Sequence, residues 1–449
     1  MTVFMSRVMF TNKQLKDMII PLIAEQFLVM LVGLADTFVV SYAGEAAVSG
    51  VSLVNSFNTI FIFLFTALAS GGAVIVSQYI GKKNTEKASE AVSQLLMISV
   101  LFSAAVTLLI LVFNEAIIRA IFGRVEQDVE NACITYLRIS AYSYPALAVY
   151  NGGAALYRSV GKTGTTMNIS IIANVINVAG NLIGVFVLHA GVAGVAYPSL
   201  ISRVFSAAVI TLLCFHDHEG VRYRWRHILA WKGKLLKTIM GIAVPNGVES
   251  GIFQLVKVGL SSIVALFGTS QIAANGIAQS IWSVASLVSV AMDAVFITVI
   301  GQCMGARDVE QAEAYFKKLM KLTVVISLAW NGLIAALTPL VAEAYAVSDV
   351  TRQYVLYLVL IHNLGNSILF PFADCLGKGL RAAGDVKYTV GISLFTTIGV
   401  RLILSVLFGI VFHMEVIGIA LAMFMDWLVR AVLFWNRFKK GKWKTFQVI

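Results

Sequence analysis

The sequence predicts an all-α polytopic membrane protein, with twelve transmembrane helices in two six-helix lobes related by a parallel internal repeat. Two observations carry this. The 449 residues are 59% hydrophobic and only 13% charged, with a mean hydropathy of +0.84. A water-soluble domain of that length could not bury so much apolar surface. In addition, landmarks recur 224 positions apart: Pro21 with Pro245, Glu25 with Glu249, Gly44 with Gly268, Gln78 with Gln302, Gly81 with Gly305, His189 with His413 and Gly194 with Gly418. A period this long in an apolar chain means two copies of one membrane unit. Period-2 patterning is absent, which argues against a barrel.

A spanning helix needs about 20 mostly apolar residues. The first copy holds six such runs, near 15–43, 46–80, 90–113, 132–157, 164–189 and 192–214. The second holds six more, near 238–266, 271–303, 318–337, 351–380, 388–412 and 416–435. An even number of spans per copy makes the copies run in the same direction, with their pseudo-two-fold along the membrane normal. The expected organisation is an N-terminal lobe over 1–214, a polar cytoplasmic linker over 215–237, a C-terminal lobe over 238–435 and a basic tail over 436–449. Two similar halves can rock about a central site, so the repeat points to a transporter.

Charge predicts the orientation. With both termini cytoplasmic, the inner segments hold Arg7, Lys82, Lys83, Arg158, Lys162, Arg222, Arg224, Arg226, Lys232, Arg307, Lys378, Arg381, Arg437 and further lysines, whereas the outer face has only Arg119, Arg124 and Arg352. This positive-inside bias also accounts for the net charge of +11, and it is spread over too many short loops to suit nucleic acid. The expected location is the inner or plasma membrane. The run after Ser6–Asp17 is long enough to span, so no cleavable signal peptide is expected. Cys133, Cys214, Cys303 and Cys375 show no paired spacing, which suggests neither disulfides nor a metal site.

Enzymatic motifs are missing. Gly161-Lys162-Thr163 resembles the end of a phosphate-binding loop, but Leu156 stands where that loop needs glycine. No HExxH occurs, and no nucleophile, base or metal set clusters.

What remains is ionisable residues within the bilayer, each of which is costly and calls for a partner or a role. Asp36 lies about seven residues, roughly 10 Å, from the outer end of span 1. Asn177 and Asn181 on span 5 reach similar depths, and Asn174, Asn177 and Asn181 recur at helical spacing and so line one face. A carboxylate beside amide oxygens suits a cation or proton; the alternative is an interhelical polar clamp. Glu25, eleven residues before Asp36, shares its face of the helix. Glu25 and Glu249 either look into the interface between the copies or cap helix breaks at Pro21 and Pro245. Arg401 and Asp426 lie at matched depth on neighbouring spans and are expected to pair. Arg203 could reach Asn177. Gln254, Lys257, Asp293 and Asp374 could line a substrate cavity in the second copy together with Glu249. Arg158 and Arg381 are expected to anchor loops.

Several stretches carry a resemblance across essentially the whole chain: Pro21 to Asp36 followed by Gly44 to Gly50, Ser77-Gln78-Tyr79-Ile80-Gly81 with its copy Gly301-Gln302-Cys303-Met304-Gly305, Arg158 to Asn181, Gly191 to Ala196, and Leu380-Arg381-Ala382-Ala383-Gly384-Asp385. In order, spacing and duplication they resemble the multidrug and toxic compound extrusion family. The resemblance implies efflux of organic cations driven by a sodium or proton gradient, with the coupling carried by the aspartate of span 1, here Asp36. Some members have an aspartate where this chain has Asn181. The branch resembling norfloxacin exporters has acids on spans 7 and 10; Glu249 and Asp374 are nearest but displaced by about a turn. Sodium and proton coupling both stay open.

Three readings follow. The first is an exporter of organic, cationic or amphipathic compounds by antiport with H+ or Na+ through alternating access. The second is a flippase for a lipid-linked or other amphipathic substrate, which would need several cations in its cavity. The third is a membrane-embedded enzyme or receptor. For the first, the expected partners are small organic molecules and the lipid bilayer, with no nucleic acid, no cofactor beyond the coupling ion, and function as a monomer.

Overall fold

The computed structural model describes residues 9–122, 126–216, 220–345 and 347–449. Arg7, Arg124 and the linker residues Asp217, His218 and Glu219 lie outside the described residues. The chain divides into two compact units, Lys16–Gly247 and Val248–Ile449, the latter including the N-terminal residues up to Leu15.

The first unit is built from α1 (Asn12–Ser41), α2 (Glu45–Gly81), α3 (Thr85–Phe122), α4 (Gln127–Tyr142), α5 (Tyr144–Ser159), α6 (Thr163–Leu182), α7 (Ala193–Phe215), the single turn α8 (Trp225–Ile228) and the start of α9 (Gly233–Val264). The second contains the rest of α9, α10 (Thr269–Ala285), α11 (Leu287–Gly305), α12 (Val309–Ala344), α13 (Asp349–Ala373), α14 (Cys375–Ala382), α15 (Val386–Phe395), α16 (Ile403–Val406) and α17 (Glu415–Lys439). Eleven of the described helical segments are long and apolar enough to cross a membrane. The twelfth crossing is shared by α4 and α5, each of 16 residues. They meet at Ser143 because Pro145, in the first turn of α5, has no N–H with which to continue α4.

Local sequence sets the helix starts. Thr11 and Gln14 form a reciprocal capping box before α1, with Thr11 N–H donating to Gln14 Oε1 at 2.8 Å and Gln14 N–H to Thr11 Oγ1 at 3.2 Å. Asp308 caps α12 by accepting from the Gln311 N–H at 3.0 Å, and Ser348 caps α13. Helices α3 and α12 run well past the apolar stretches 90–113 and 318–337, because hydropathy marks only the part of a helix that sits in lipid.

The repeat is written into the backbone. Gly44 and Gly268 both have positive φ, 105° and 96°, where a side chain would be strained. The π-helical turns Ile183–Val187 and Leu407–Val411 occupy equivalent positions. Each is followed by a histidine of positive φ, His189 and His413, and by a glycine in close contact with the turn. A Cβ on Gly194 would lie 2.6 Å from the Gly184 carbonyl oxygen, and one on Gly418 2.6 Å from the Phe408 carbonyl carbon.

In the first unit α2 packs against α3, α4 and α5, and α7 against α5 and α6, around Val51, Val54, Phe65, Ile110, Leu137 and Tyr144. In the second, α13 packs against α10, α12 and α17, around Ala274, Ala278, Val355, Leu358 and Ala420. The basic tail is docked within this unit. Trp443 is fully buried, stacked on Phe438 and edge-on to Phe316, and Arg437 grips Asp385 through two hydrogen bonds of 2.6 and 3.0 Å.

Candidate functional site

The sequence-predicted polar stripe converges in the first unit. Asp36 extends from α1 toward α6, where Asn181 Nδ2 donates to its Oδ1 at 2.6 Å and to Asn177 Oδ1 at 3.2 Å. Asn177 in turn donates to Ser199 Oγ on α7 at 2.9 Å. Asn181 is fully buried, and among the described residues its Oδ1 has no hydrogen-bond donor. The α6 spacing puts Asn177 and Asn181 one turn apart on the same face, and the π turn begins just beyond them. Such turns often occur at functional positions.

Asp36 lines two adjoining cavities. One, of about 310 Å³, is bounded by Gly33, Tyr150, Ser170, Asn174, Asn177, Ser199 and Arg203, with Val29, Val32 and Leu147 as part of its apolar wall. The other, of about 420 Å³, is bounded by Ser52, Asn55, Ser56, Thr59 and Tyr136. Among the described residues no cation lies within ion-pair distance of Asp36. Arg203 faces the first cavity, but its guanidinium donates to Ser143 Oγ at 2.7 Å, not to Asn177 as the sequence suggested. The break between α4 and α5 presents that serine.

Glu25 sits differently. It is buried, and its carboxylate is ion-paired with Arg158 at 2.9 Å. It also accepts from Thr166 at 3.0 Å, Ser170 at 3.2 Å and Tyr150 at 3.4 Å. Arg158 is therefore a partner of α1 and not merely a loop anchor. Tyr150 and Ser170 hold Glu25 and also border the Asp36 cavity, so the two acids mark the ends of one polar track.

The second unit repeats the first half of this pattern. Glu249 pairs with Arg381 at 2.6 Å, and Arg381 donates to Thr389 at 3.1 Å and Ser393 at 3.4 Å. Arg381, Thr389 and Ser393 follow Arg158, Thr166 and Ser170 by 223 positions. The loop-anchor expectation for Arg381 is corrected in the same way. A long α9 side chain one turn beyond Pro245 reaches across to α14 because a buried carboxylate needs a cation. Near this pair, Asp293 on α11 lies 3.8 Å from Lys378, and Asp374 occupies the joint between α13 and α14. Gln254 and Lys257 lie five and eight residues beyond Glu249 on α9, half-buried and exposed respectively, roughly 7 to 12 Å farther along the axis. Of the five residues expected to share a cavity, Glu249 and Asp293 are engaged by Arg381 and Lys378.

Arg401 and Asp426 do meet, at 4.0 Å, but Arg430 is the closer partner of Asp426 at 2.8 Å. Arg401 also lies over the Phe253 ring at 5.2 Å. The i,i+4 spacing of Asp426 and Arg430 was the signal that depth matching passed over. Lys378, Tyr150, Ser170 and Ser199 were also missed. The joint recurrence of Glu25 and Arg158 with Glu249 and Arg381 would have found the paired arginines.

The fold and this site define the class: a polytopic α-helical membrane transporter made of a duplicated six-helix unit. The MatE family model matches residues 21–183 and again 245–407, the same 224-residue register, and the chain belongs to that family. It is 24% identical to the "Uncharacterized transporter YisQ" of Bacillus subtilis, over 94% of this chain and 93% of the relative. It is 22% identical to the "Probable multidrug resistance protein NorM" of Thermotoga maritima, over 98% and 94%. Among solved structures, the outward-facing conformation of a multidrug resistance MATE family transporter of the MOP superfamily superposes with a TM-score of 0.89, at 21% identity over 97% of both chains.

Proposed function

We propose that this transporter is a secondary active exporter of organic, cationic or amphipathic compounds, working by antiport with H+ or Na+ through alternating access of lobes 1–214 and 238–435. The carrying observation is Asp36: a carboxylate in a lobe cavity, held by Asn181 and outside ion-pair distance of any described cation. A proton or a sodium ion neutralises such a group, and the free Asn181 Oδ1 supplies a further oxygen for sodium. Loss of the cation leaves a charge that favours rearrangement of α1, which has Pro21 within it. A drive of roughly 2.3 kcal/mol per charge per 100 mV is available, enough to bias two nearly balanced states. The names of NorM-type relatives agree with drugs as cargo. A flippase cavity would need several cations, and the Asp36 cavity has Arg203 alone among its lining residues. The proposed setting is the cell membrane with both termini cytoplasmic and the monomer as working unit.

The test is efflux of organic cations from proteoliposomes with sodium and proton gradients imposed separately. The proposal expects accumulation or efflux driven by one of them. Transport indifferent to both gradients would overturn antiport, and transport of lipid-linked substrates alone would favour the flippase.

A further inference from the structure

The segment after α7 is stitched to the side of α3. Ser89 Oγ donates to the Gly220 carbonyl at 3.4 Å and accepts from the Arg222 N–H at 3.1 Å. Ser93 accepts from the Arg224 N–H at 3.2 Å. Gln94 donates to the carbonyls of His227 and Ala230, the latter at 2.6 Å, and accepts from the Lys232 N–H at 3.1 Å. The segment also has an inside and an outside. Val221, Tyr223 and His227 are buried, whereas Trp225, Leu229 and Trp231 are 65%, 81% and 68% exposed.

The level of this attachment on α3 is informative. Residues 91–114 of α3 contain no charged side chain, and an almost unbroken apolar stretch begins at Leu95. Gln94 is the last strongly polar residue before this stretch, whose exposed apolar face begins at Val100 and Leu101, about 9 Å farther along the helix, which suits the turns it holds to the headgroup side of the boundary with hydrocarbon. Tryptophans concentrate at that boundary. Around them stand Arg222, Arg224, Arg226, Lys232, Lys234 and Lys237, with no acidic residue from 221 to 237. Arg222, Arg226, Lys232, Lys234 and Lys237 are exposed. Glu90 on α3 approaches Lys232 at 3.8 Å, which leaves the strip strongly positive.

We propose that residues 221–237 form a membrane-surface anchor that recognises anionic phospholipid headgroups, with Trp225, Leu229 and Trp231 inserted at the interface and the surrounding arginines and lysines on the lipid phosphates. Apolar insertion and attraction to anionic lipid act together in such segments. Because the segment joins α7 to α9, lipid charge gains a handle on the connection between the two copies of the repeat.

The test uses the full chain carrying Leu229→Cys labelled with a solvatochromic fluorophore, the four native cysteines being buried. It is reconstituted into phosphatidylcholine vesicles with or without phosphatidylglycerol, and with brominated lipid as quencher. The expected result is blue-shifted emission and several-fold stronger quenching with phosphatidylglycerol. That preference should be lost in high salt and in the R222Q/R226Q/K232Q/K234Q variant, whose side chains are all exposed and whose fold is checked by its melting curve. A fluorophore that stays in water in both vesicles would overturn the anchor and point to a protein partner. Equal quenching in both vesicles, unaffected by charge removal, would overturn recognition of anionic lipid.

Discussion

Arg158 lies 2.9 Å from Glu25, whereas among the described residues Asp36 has no cation within ion-pair distance. Two carboxylates on one helix face thus have opposite surroundings. Sequence spacing could place both on that face, since eleven residues is close to three turns, and it could bring Asn177 and Asn181 to the depth of Asp36. It could not show that Glu25 is neutralised, because Arg158 is remote in sequence and long enough to reach any of several partners. Losing one member of a buried pair typically costs about 3–5 kcal/mol. Arg158→Ala should therefore lower the unfolding midpoint in detergent clearly, near the low end of that range because Arg158 keeps 28% side-chain exposure. The Glu25→Gln/Arg158→Gln double variant should recover much of the loss, and strictly additive losses would contradict the pairing. Asn181→Ala should slow gradient-driven efflux about tenfold or more, since it removes the donor to Asp36, and should lower stability by about 1–3 kcal/mol for the buried acceptors left unpaired; unchanged efflux would show that this hydrogen bond is dispensable.

At the level of helices, the apolar runs marked the crossings, and the 224-residue register foreshadowed matched π turns, positive-φ glycines and close glycine contacts. Other features escaped. The interruption of α10 and α11 at Ser286 has no equivalent in the continuous α2, and no proline announces it. Docking of the tail depends on Trp443 finding Phe316 and Phe438, a tertiary contact that composition does not encode. Glycine contacts give a direct comparison. A Cβ on Gly184 would lie 2.1 Å from the Gly194 carbonyl oxygen, while one at Gly191 meets nothing within 4 Å. Gly184→Ala should therefore reduce the melting midpoint far more than Gly191→Ala, whose cost is limited to about 1–2 kcal/mol of left-handed backbone strain. Equal shifts would mean that the contact between the π turn and α7 relaxes freely.

For the whole molecule, the charge bias underlies the proposal that both termini lie on the inner side. Single cysteines at Lys83 and Lys162 should react with impermeant maleimide only from the cytoplasmic face, and one at Arg119 only from the outer face; the reverse pattern would overturn the orientation. The charge asymmetry was legible because loops are short and their lysines and arginines easily counted, whereas the identity of the cargo depends on cavity shape, which no spacing reveals. In the proposed cycle Asp36 exchanges a cation for substrate. The most direct measurement of this exchange is efflux of an organic cation from proteoliposomes by the Asp36→Asn protein under proton and sodium gradients, alongside equilibrium binding of the same compound. Loss of gradient-driven efflux is expected, with folding and most of the binding retained. Gradient-driven efflux at the wild-type rate would contradict that exchange.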